Sequence, residues 1–213
     1  MVDIFDSSFD SDVDIEISDN IITKGDEVNL TAKDPTMSKI LVGIGWDLKQ
    51  FDVDTLDLDV SCFLLNKDEK TRVDNDFVFY NNLEASDGAV THNGDNRTGA
   101  GDGDDESITI DLNGIPFEVV KVMFVLSIHK GEEKEQTMAS LRNAYIRVVN
   151  ASNGQELLRY ELNDDVKRST ETGMLVGCLN REGPKWHFVA VGTLVQGGLA
   201  EIARDYDIIV HTG

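Results

Sequence analysis

Short runs in which apolar and polar side chains alternate recur along this chain from about Ile21 onward. A period of two is typical of β-strands that bury one face, and Gly, Asn and Asp residues separate the runs as turns do. The clearest runs are 27–31, 39–46, 57–65, 76–80, 107–111, 119–128, 144–149, 157–160, 174–179 and 186–191. Two stretches interrupt the pattern: 135–143 tolerates helix, and 198–204 favours a short C-terminal helix. The pattern predicts a mainly β protein, an antiparallel β-sandwich of two sheets with one or two short helices.

The first twenty residues differ from the rest of the chain, because they contain seven acidic residues and no lysine or arginine. We interpret residues 1–20 as an acidic, disordered N-terminal extension, with an added edge strand at 13–17 as the alternative. No Ser/Gly-rich linker divides residues 21–213. We therefore expect 21–213 to form one domain, which is long enough to bury its own core.

The most unusual stretch is 94–106, which places five carboxylates and four glycines in thirteen residues. Two carboxylates about 5 Å apart repel each other by roughly 3 kcal/mol at an effective dielectric constant of about 20. The segment is therefore either a disordered acidic linker or a loop that a cation holds together. Its donors are all hard oxygens, which select Ca²⁺ or Mg²⁺, and the flexible glycines favour the larger, more tolerant Ca²⁺. No frame in the loop fits an EF-hand.

A second group of oxygen donors lies earlier in the chain. Asp57 and Asp59 are two residues apart in a predicted strand, so their side chains point the same way about 6.5–7 Å apart and can bridge a Ca²⁺ ion. Asn81 and Asn82 end the next strand, where amide and carbonyl oxygens become available. His92 lies beside the acidic loop and is a candidate hydrogen-bond donor to the side chains that bind the metal. A solvent-facing strand side is the alternative for the aspartates.

Net charge limits the partners and the location of the protein. A formal charge of −21 argues against binding nucleic acid through a broad basic surface. No apolar run approaches the roughly 20 residues of a membrane-spanning helix, and no secretory signal is recognisable, so we expect a cytoplasmic protein without direct membrane insertion.

Cys62 and Cys178 are far apart among apolar residues, which favours buried free thiols over a disulfide.

Several segments together resemble the TerD family of tellurium-resistance and stress proteins. They are 42–47, 57–65, 76–82, 86–88, 94–106, 142–150 and the glycine pair 197–198, and the resemblance extends over about 21–209. It implies a β-sandwich with a pair of calcium sites in a bacterial cytoplasmic protein. It also implies a role in tolerance of tellurite and other chemical stress, and in resistance to phage and pore-forming colicins. The acidic extension before Ile21 departs from the family pattern.

The resemblance carries the metal site over to ten residues of this sequence. They are Asp57, Asp59, Asn81, Asn82, Asp95, Asn96, Asp102, Asp104, Asp105 and Glu106. The implied partners are other Ter-type stress-resistance proteins. The protein is either free in the cytoplasm or held at the inner membrane through a membrane component among them.

We find no catalytic constellation and expect a binding protein, in which Ca²⁺ orders the acidic loop to form an interaction surface. A metal-dependent hydrolase with water activated by the same carboxylates is one alternative. A cyclic-nucleotide-binding protein, suggested by some relatives, is the other.

Overall fold

A computed structural model describes residues 20–48, 56–94 and 103–208 of the chain. Most of the described backbone forms two sheets, as the alternating pattern predicts. In spatial order, the seven-stranded sheet contains Ile21–Ile22 (β1), Glu156–Glu161 (β11), Leu141–Asn150 (β10), Lys39–Leu48 (β3), Glu106–Asp111 (β8), Val90–His92 (β7) and Glu84–Ala85 (β6). Its strands pair antiparallel, except that β1 runs parallel to β11.

The second sheet has six antiparallel strands. In spatial order they are Glu27–Asn29 (β2), Lys185–Val195 (β13), Gly173–Glu182 (β12), Lys121–Ile128 (β9), Leu58–Leu65 (β4) and Phe77–Val78 (β5). Strand β5 pairs with β4 only at Cys62 and Phe63. The first half of β4 therefore has one backbone edge that β5 does not cover.

Helices are short in the described ranges. They are Leu30–Lys33 (α1), Asn163–Val166 (α2) and Gly198–Asp205 (α3), with 3-10 turns at Asp74–Asp76 and Met138–Ser140. Helix α3 confirms the helix predicted at 198–204, whereas 135–143 supplies only the second 3-10 turn and the start of β10. The strand predicted over 27–31 ends early because the Asn29 side chain accepts a hydrogen bond from the Ala32 N–H and caps α1.

Side-chain alternation places one hydrophobic cluster between the sheets. In β4 the residues Leu58, Val60, Cys62 and Leu64 belong to it, and in β3 so do Ile40, Val42, Ile44 and Trp46. The other side of β4 carries Phe63 and Leu65, which pack in a second cluster with Ile202 and Ala203 of α3. The sandwich covers one face of β4, and α3 with its neighbours covers part of the other. All eight residues of β4 are buried.

These observations confirm the predicted two-sheet β-sandwich. Cys62 and Cys178 are buried and unpaired, as expected. Among the described residues, no helix is long and apolar enough to cross a membrane.

Candidate functional site

The start of β4 carries two of the predicted ligands, Asp57 and Asp59. Because Leu58 and Val60 face the core, Asp59 points to the outer face of the six-stranded sheet, where it is only 6% exposed. The Oδ1 atom of Asp57 is buried and has no hydrogen-bond partner. A buried carboxylate oxygen that lacks a donor is unfavourable unless a cation or a proton compensates it.

Tyr80 and His129 border these two carboxylates, and the four residues together are called the β4 corner below. The rings of Tyr80 and His129 meet edge to face with their centroids 6.1 Å apart. The backbone N–H of His129 donates to the Asp57 carbonyl oxygen at 2.8 Å, and its Nδ1 lies 4.0 Å from Asp59 Oδ2. Burial, with the negative charge of Asp59 and Asp57 added, raises the pKa of Tyr80. Asp57 and Asp59 thus bring two carboxylates close to the Tyr80 hydroxyl.

Tyr80 and Asn81 form the turn between Phe79 and Asn82. Asn81 is exposed. The Asn82 side-chain amide donates to the Phe77 carbonyl oxygen at 2.6 Å, and the backbone of Asn82 pairs with that of Phe79. Asn82 therefore stabilises the turn that places Tyr80 in the β4 corner.

Asp104 lies on the outer face of the seven-stranded sheet. Arg147 Nε donates to its Oδ1 at 2.8 Å and Nη2 donates to its Oδ2 at 2.9 Å, while the Tyr145 hydroxyl donates to Oδ1 at 3.0 Å. Burial and the nearby Asp104 charge raise the pKa of Tyr145 to about 12, so this phenol remains a donor at neutral pH. The negative charge of Asp104 is therefore already paired inside the protein.

Asp105 continues the pairing of the loop end with β3. Its backbone N–H donates to the Ile44 carbonyl oxygen at 2.8 Å, and its Oδ2 accepts from the Trp46 N–H at 2.8 Å. Burial is the main cause that raises the pKa of Asp105, and the charges of Asp47 and Asp104 add to it against the Trp46 hydrogen bond. A cation bound near Asp105 and Asp47 would relieve this repulsion.

Glu106 points between the sheets, where its side chain is 1% exposed. Its Oε2 accepts from the Val60 N–H at 2.6 Å, and His92 Nε2 makes a 3.2 Å contact with the Val60 carbonyl oxygen. The Gly94 N–H donates to His92 Nδ1 at 3.2 Å, which corresponds to the tautomer with its proton on Nε2. Glu106 and His92 thereby satisfy β4 backbone groups on the edge that β5 leaves uncovered.

The predicted ligands are consequently not gathered in one place. Asp57 and Asp59 lie in the β4 corner, Asp104 lies on the opposite outer face of the sandwich, and Glu106 lies between the sheets. Asp95, Asn96 and Asp102 are outside the described residues. Within 20–48, 56–94 and 103–208, no three His, Cys, Asp or Glu side chains form a group that could hold a metal ion by themselves.

The donor chemistry nevertheless fits calcium better than a softer metal. The β4 corner offers carboxylate oxygens, one of them buried without a hydrogen-bond partner, and no cysteine is part of it. Ca²⁺ binds carboxylate, amide and carbonyl oxygens and tolerates irregular geometry. Among the described residues, Asp57, Asp59 and Asp105 therefore fit a calcium ligand role best.

Sequence reasoning missed the residues that surround the acids, chiefly Arg147, Tyr145, Tyr80 and His129. Arg147 alternates with buried Ile146 and Val148, so its place on the outer face was readable from the strand period. Its partner was not, because 43 residues separate Asp104 from Arg147. His129 gave no signal, since it follows the last residue of β9.

Comparison with known proteins places the chain in a family. The TerD domain model matches residues 20–206. The chain is 49% identical to a tellurium resistance protein TerD from Serratia marcescens over 88% of this chain and 96% of that protein. It is 44% identical to general stress protein 16U from Bacillus subtilis over 89% of this chain and 97% of that protein.

A solved structure supports the fold independently. The crystal structure of a homologue of the telluride resistance protein from Streptomyces coelicolor A3(2) superposes with a TM-score of 0.64 at 19% identity, covering 78% of this chain and 95% of that one. The match to the domain model and the similarity to the Serratia and Bacillus proteins extend over nearly the whole sandwich. The chain therefore belongs to the TerD family.

Proposed function

We propose that this chain is a calcium-binding module of a bacterial resistance system against tellurite and other chemical stress, and against phage and colicins. The names of the similar proteins, tellurium resistance protein TerD and general stress protein 16U, support the resistance role. One observation carries the metal role: the buried Asp57 Oδ1 has no hydrogen-bond partner and stands beside the buried Asp59.

Two ions are proposed. The first would be held by Asp57 and Asp59 in the β4 corner, with oxygens of the Asn81-Asn82 turn nearby. The second would be held by the acidic loop, through Asp95, Asn96, Asp102 and Asp105. Ca²⁺ supplies positive charge at both places and would convert the repulsion among these carboxylates into attraction.

Binding and ordering are therefore coupled in this proposal. Since the loop's own charges oppose a compact arrangement, the ion contributes folding free energy when it binds. The ordered loop would then form the contact surface for other Ter-type resistance proteins, including a membrane component. That contact would hold this cytoplasmic protein at the inner membrane without inserting it.

Thermal unfolding with and without Ca²⁺ tests the proposal. At a free Ca²⁺ concentration about 100 times Kd, we expect stabilisation of about 2.7 kcal/mol. For a domain of this size, that corresponds to a rise in Tm of roughly 5–10 °C. Asp57→Asn and Asp105→Asn should each reduce the rise, because an amide keeps the shape and removes the charge.

Asp68→Asn is the matched control, since Asp68 lies in a turn with a side chain that is 68% exposed. It should keep the full calcium effect. An equal rise in Tm for Asp57→Asn and the wild type would count against a metal in the β4 corner. No rise in the wild type at millimolar Ca²⁺ would remove the calcium function altogether.

A binding role, rather than catalysis, is part of the proposal. The two competing functions are a metal-dependent hydrolase and a cyclic-nucleotide-binding protein that use the same acids. Assays of phosphomonoesters and phosphodiesters with Ca²⁺, Mg²⁺ and Mn²⁺ should give no turnover. Equilibrium dialysis with labelled cyclic nucleotides should give no retention, and a positive result in either assay would favour that competitor.

A further inference from the structure

The contact between Asp104 and Arg147 assigns a role to the end of the acidic loop that differs from metal ligation. We propose that Asp104 is an anchor and that Arg147 is the positioning residue that holds it on the seven-stranded sheet. The pair fixes where the loop ends and therefore where Asp105 stands. This inference rests on the proposed calcium function for its effect on metal affinity, but its structural half can be tested without metal.

The hydrogen bonds of Asp104 leave little of its carboxylate for a metal ion. Arg147 donates to both carboxylate oxygens, and Tyr145 donates to one of them. The Arg147 pair has the bidentate geometry of the strongest charge-assisted contacts. A carboxylate has about four acceptor positions, so three of them are used.

The surface of β3 is shaped to receive this carboxylate. A Cβ atom on Gly43 would lie 2.1 Å from Asp104 Oδ2, and one on Gly45 would lie 2.6 Å from the Tyr145 ring and hydroxyl. Both distances are far below van der Waals contact. The two glycines therefore provide the space in which Asp104 and Tyr145 rest against the sheet.

Neighbouring charges hold Arg147 in place and balance the cluster. Arg147 Nη1 donates to Glu156 Oε2 at 3.2 Å, and Arg159 donates to both oxygens of Glu156. The Arg159 guanidinium stacks over the Tyr145 ring, 4.0 Å from its centroid. The cluster contains two guanidinium groups and two carboxylates, so its formal charge is zero.

Asp104 is therefore a poor ligand for a metal ion in this arrangement. An ion bound to either oxygen at about 2.4 Å would stand close to the Arg147 guanidinium, which carries the same sign of charge. Asp105, the next residue, contacts β3 through the Ile44 carbonyl oxygen and the Trp46 N–H. The anchor thus holds Asp105 beside the sheet while Arg147 neutralises Asp104.

A double-mutant cycle tests the assignment with Asp104→Asn, Arg147→Met and the combined variant. In the absence of calcium, each single variant should lower Tm by roughly 3–8 °C. The Tm of the combined variant should be no lower than that of the less stable single variant, because residues in one ion pair do not act additively. Arg147→Lys should lie between wild type and Arg147→Met, since an ammonium group cannot donate in a fork. Arg168→Met is the control for loss of an exposed positive charge, and it should leave Tm unchanged.

Calorimetric titration with CaCl₂ supplies the second readout. Both single variants should raise Kd about tenfold, as loss of a residue that orients a ligand does, with the number of bound ions unchanged. Loss of one bound ion in Asp104→Asn alone would overturn the proposal, because it would make Asp104 a ligand. If the wild type binds no calcium, the proposed function fails, and additive losses of Tm in the metal-free cycle would still overturn the anchor.

Discussion

Replacing Gly43 with alanine tests how tightly the acidic loop rests on β3. The added methyl group would stand 2.1 Å from Asp104 Oδ2, so the carboxylate must move off the sheet. Asp104 would then lose both of its hydrogen bonds from Arg147. The contact is partly shielded from water, since the Arg147 side chain is 28% exposed and the Asp104 side chain is 12% exposed. The backbone of Gly43 itself needs no special conformation, since it is paired inside a regular strand.

The magnitude follows from these contacts. Hydrogen bonds to charged groups contribute about 1.5–3 kcal/mol net, and the loss of glycine flexibility in the unfolded chain returns about 0.4–1 kcal/mol. The expected net loss is about 0.5–2.6 kcal/mol, which lowers Tm by roughly 1–10 °C. Circular dichroism melts of Gly43→Ala in chelator measure it directly.

Repeating the substitution in the Arg147→Met variant shows whether its effect depends on the Asp104 contact. In Arg147→Met the anchor is already absent, so adding Gly43→Ala should lower Tm by no more than about 1–2 °C. A full loss in both backgrounds would mean that the methyl group disturbs β3 rather than the Asp104 contact. An unchanged Tm for Gly43→Ala in the wild-type background would refute the reasoning outright.

Two further predictions concern the charged and buried groups around the site. Burial alone would raise the pKa of Glu156, but hydrogen bonds from Arg159 and Arg147 outweigh it and lower the pKa below 4.5. The folded state therefore binds this proton less tightly than the unfolded state, so the stability that Glu156 contributes is present above pH 4.5 and is lost as pH falls through its folded-state pKa. Urea unfolding at pH 7 should show Glu156→Gln to be less stable than the wild type, with the difference shrinking at pH 3, and a difference that grows on acidification would contradict this. Glu106→Ala should lower the free energy of unfolding by roughly 2–4 kcal/mol, because it leaves a cavity and a buried Val60 N–H without its acceptor. Glu106→Gln should lose less, since its amide oxygen can still accept, and equal losses would contradict the Val60 contact.

Much of the fold was predictable because the strand period is local information. The alternation at 39–46 and 57–65 identified the buried faces of β3 and β4, and 198–204 identified α3. The end of β2 was missed because Asn29 caps a helix that begins inside an alternating run. Segment 135–143 was misleading because helix propensity is weak against strand pairing, and β10 begins at Leu141.

The candidate site was less predictable, because it depends on contacts between distant residues. Charge density identified the acidic loop, and the strand period identified the Asp57/Asp59 pair. It could not separate Asp104, which is paired with Arg147, from Asp105, because the two are adjacent acids. The glycines at 43 and 45 were the available signal, since two glycines on one face of a strand indicate the close approach of another group.

Isothermal titration with CaCl₂ and MgCl₂ after chelator treatment tests the calcium function most directly. The account predicts about two Ca²⁺ ions per chain with Kd below millimolar, weaker binding of Mg²⁺, and loss of one ion in Asp57→Asn. The preference for Ca²⁺ follows from irregular sites rich in oxygen donors, which the smaller Mg²⁺ does not fit. The absence of Ca²⁺ binding up to millimolar concentration would contradict it.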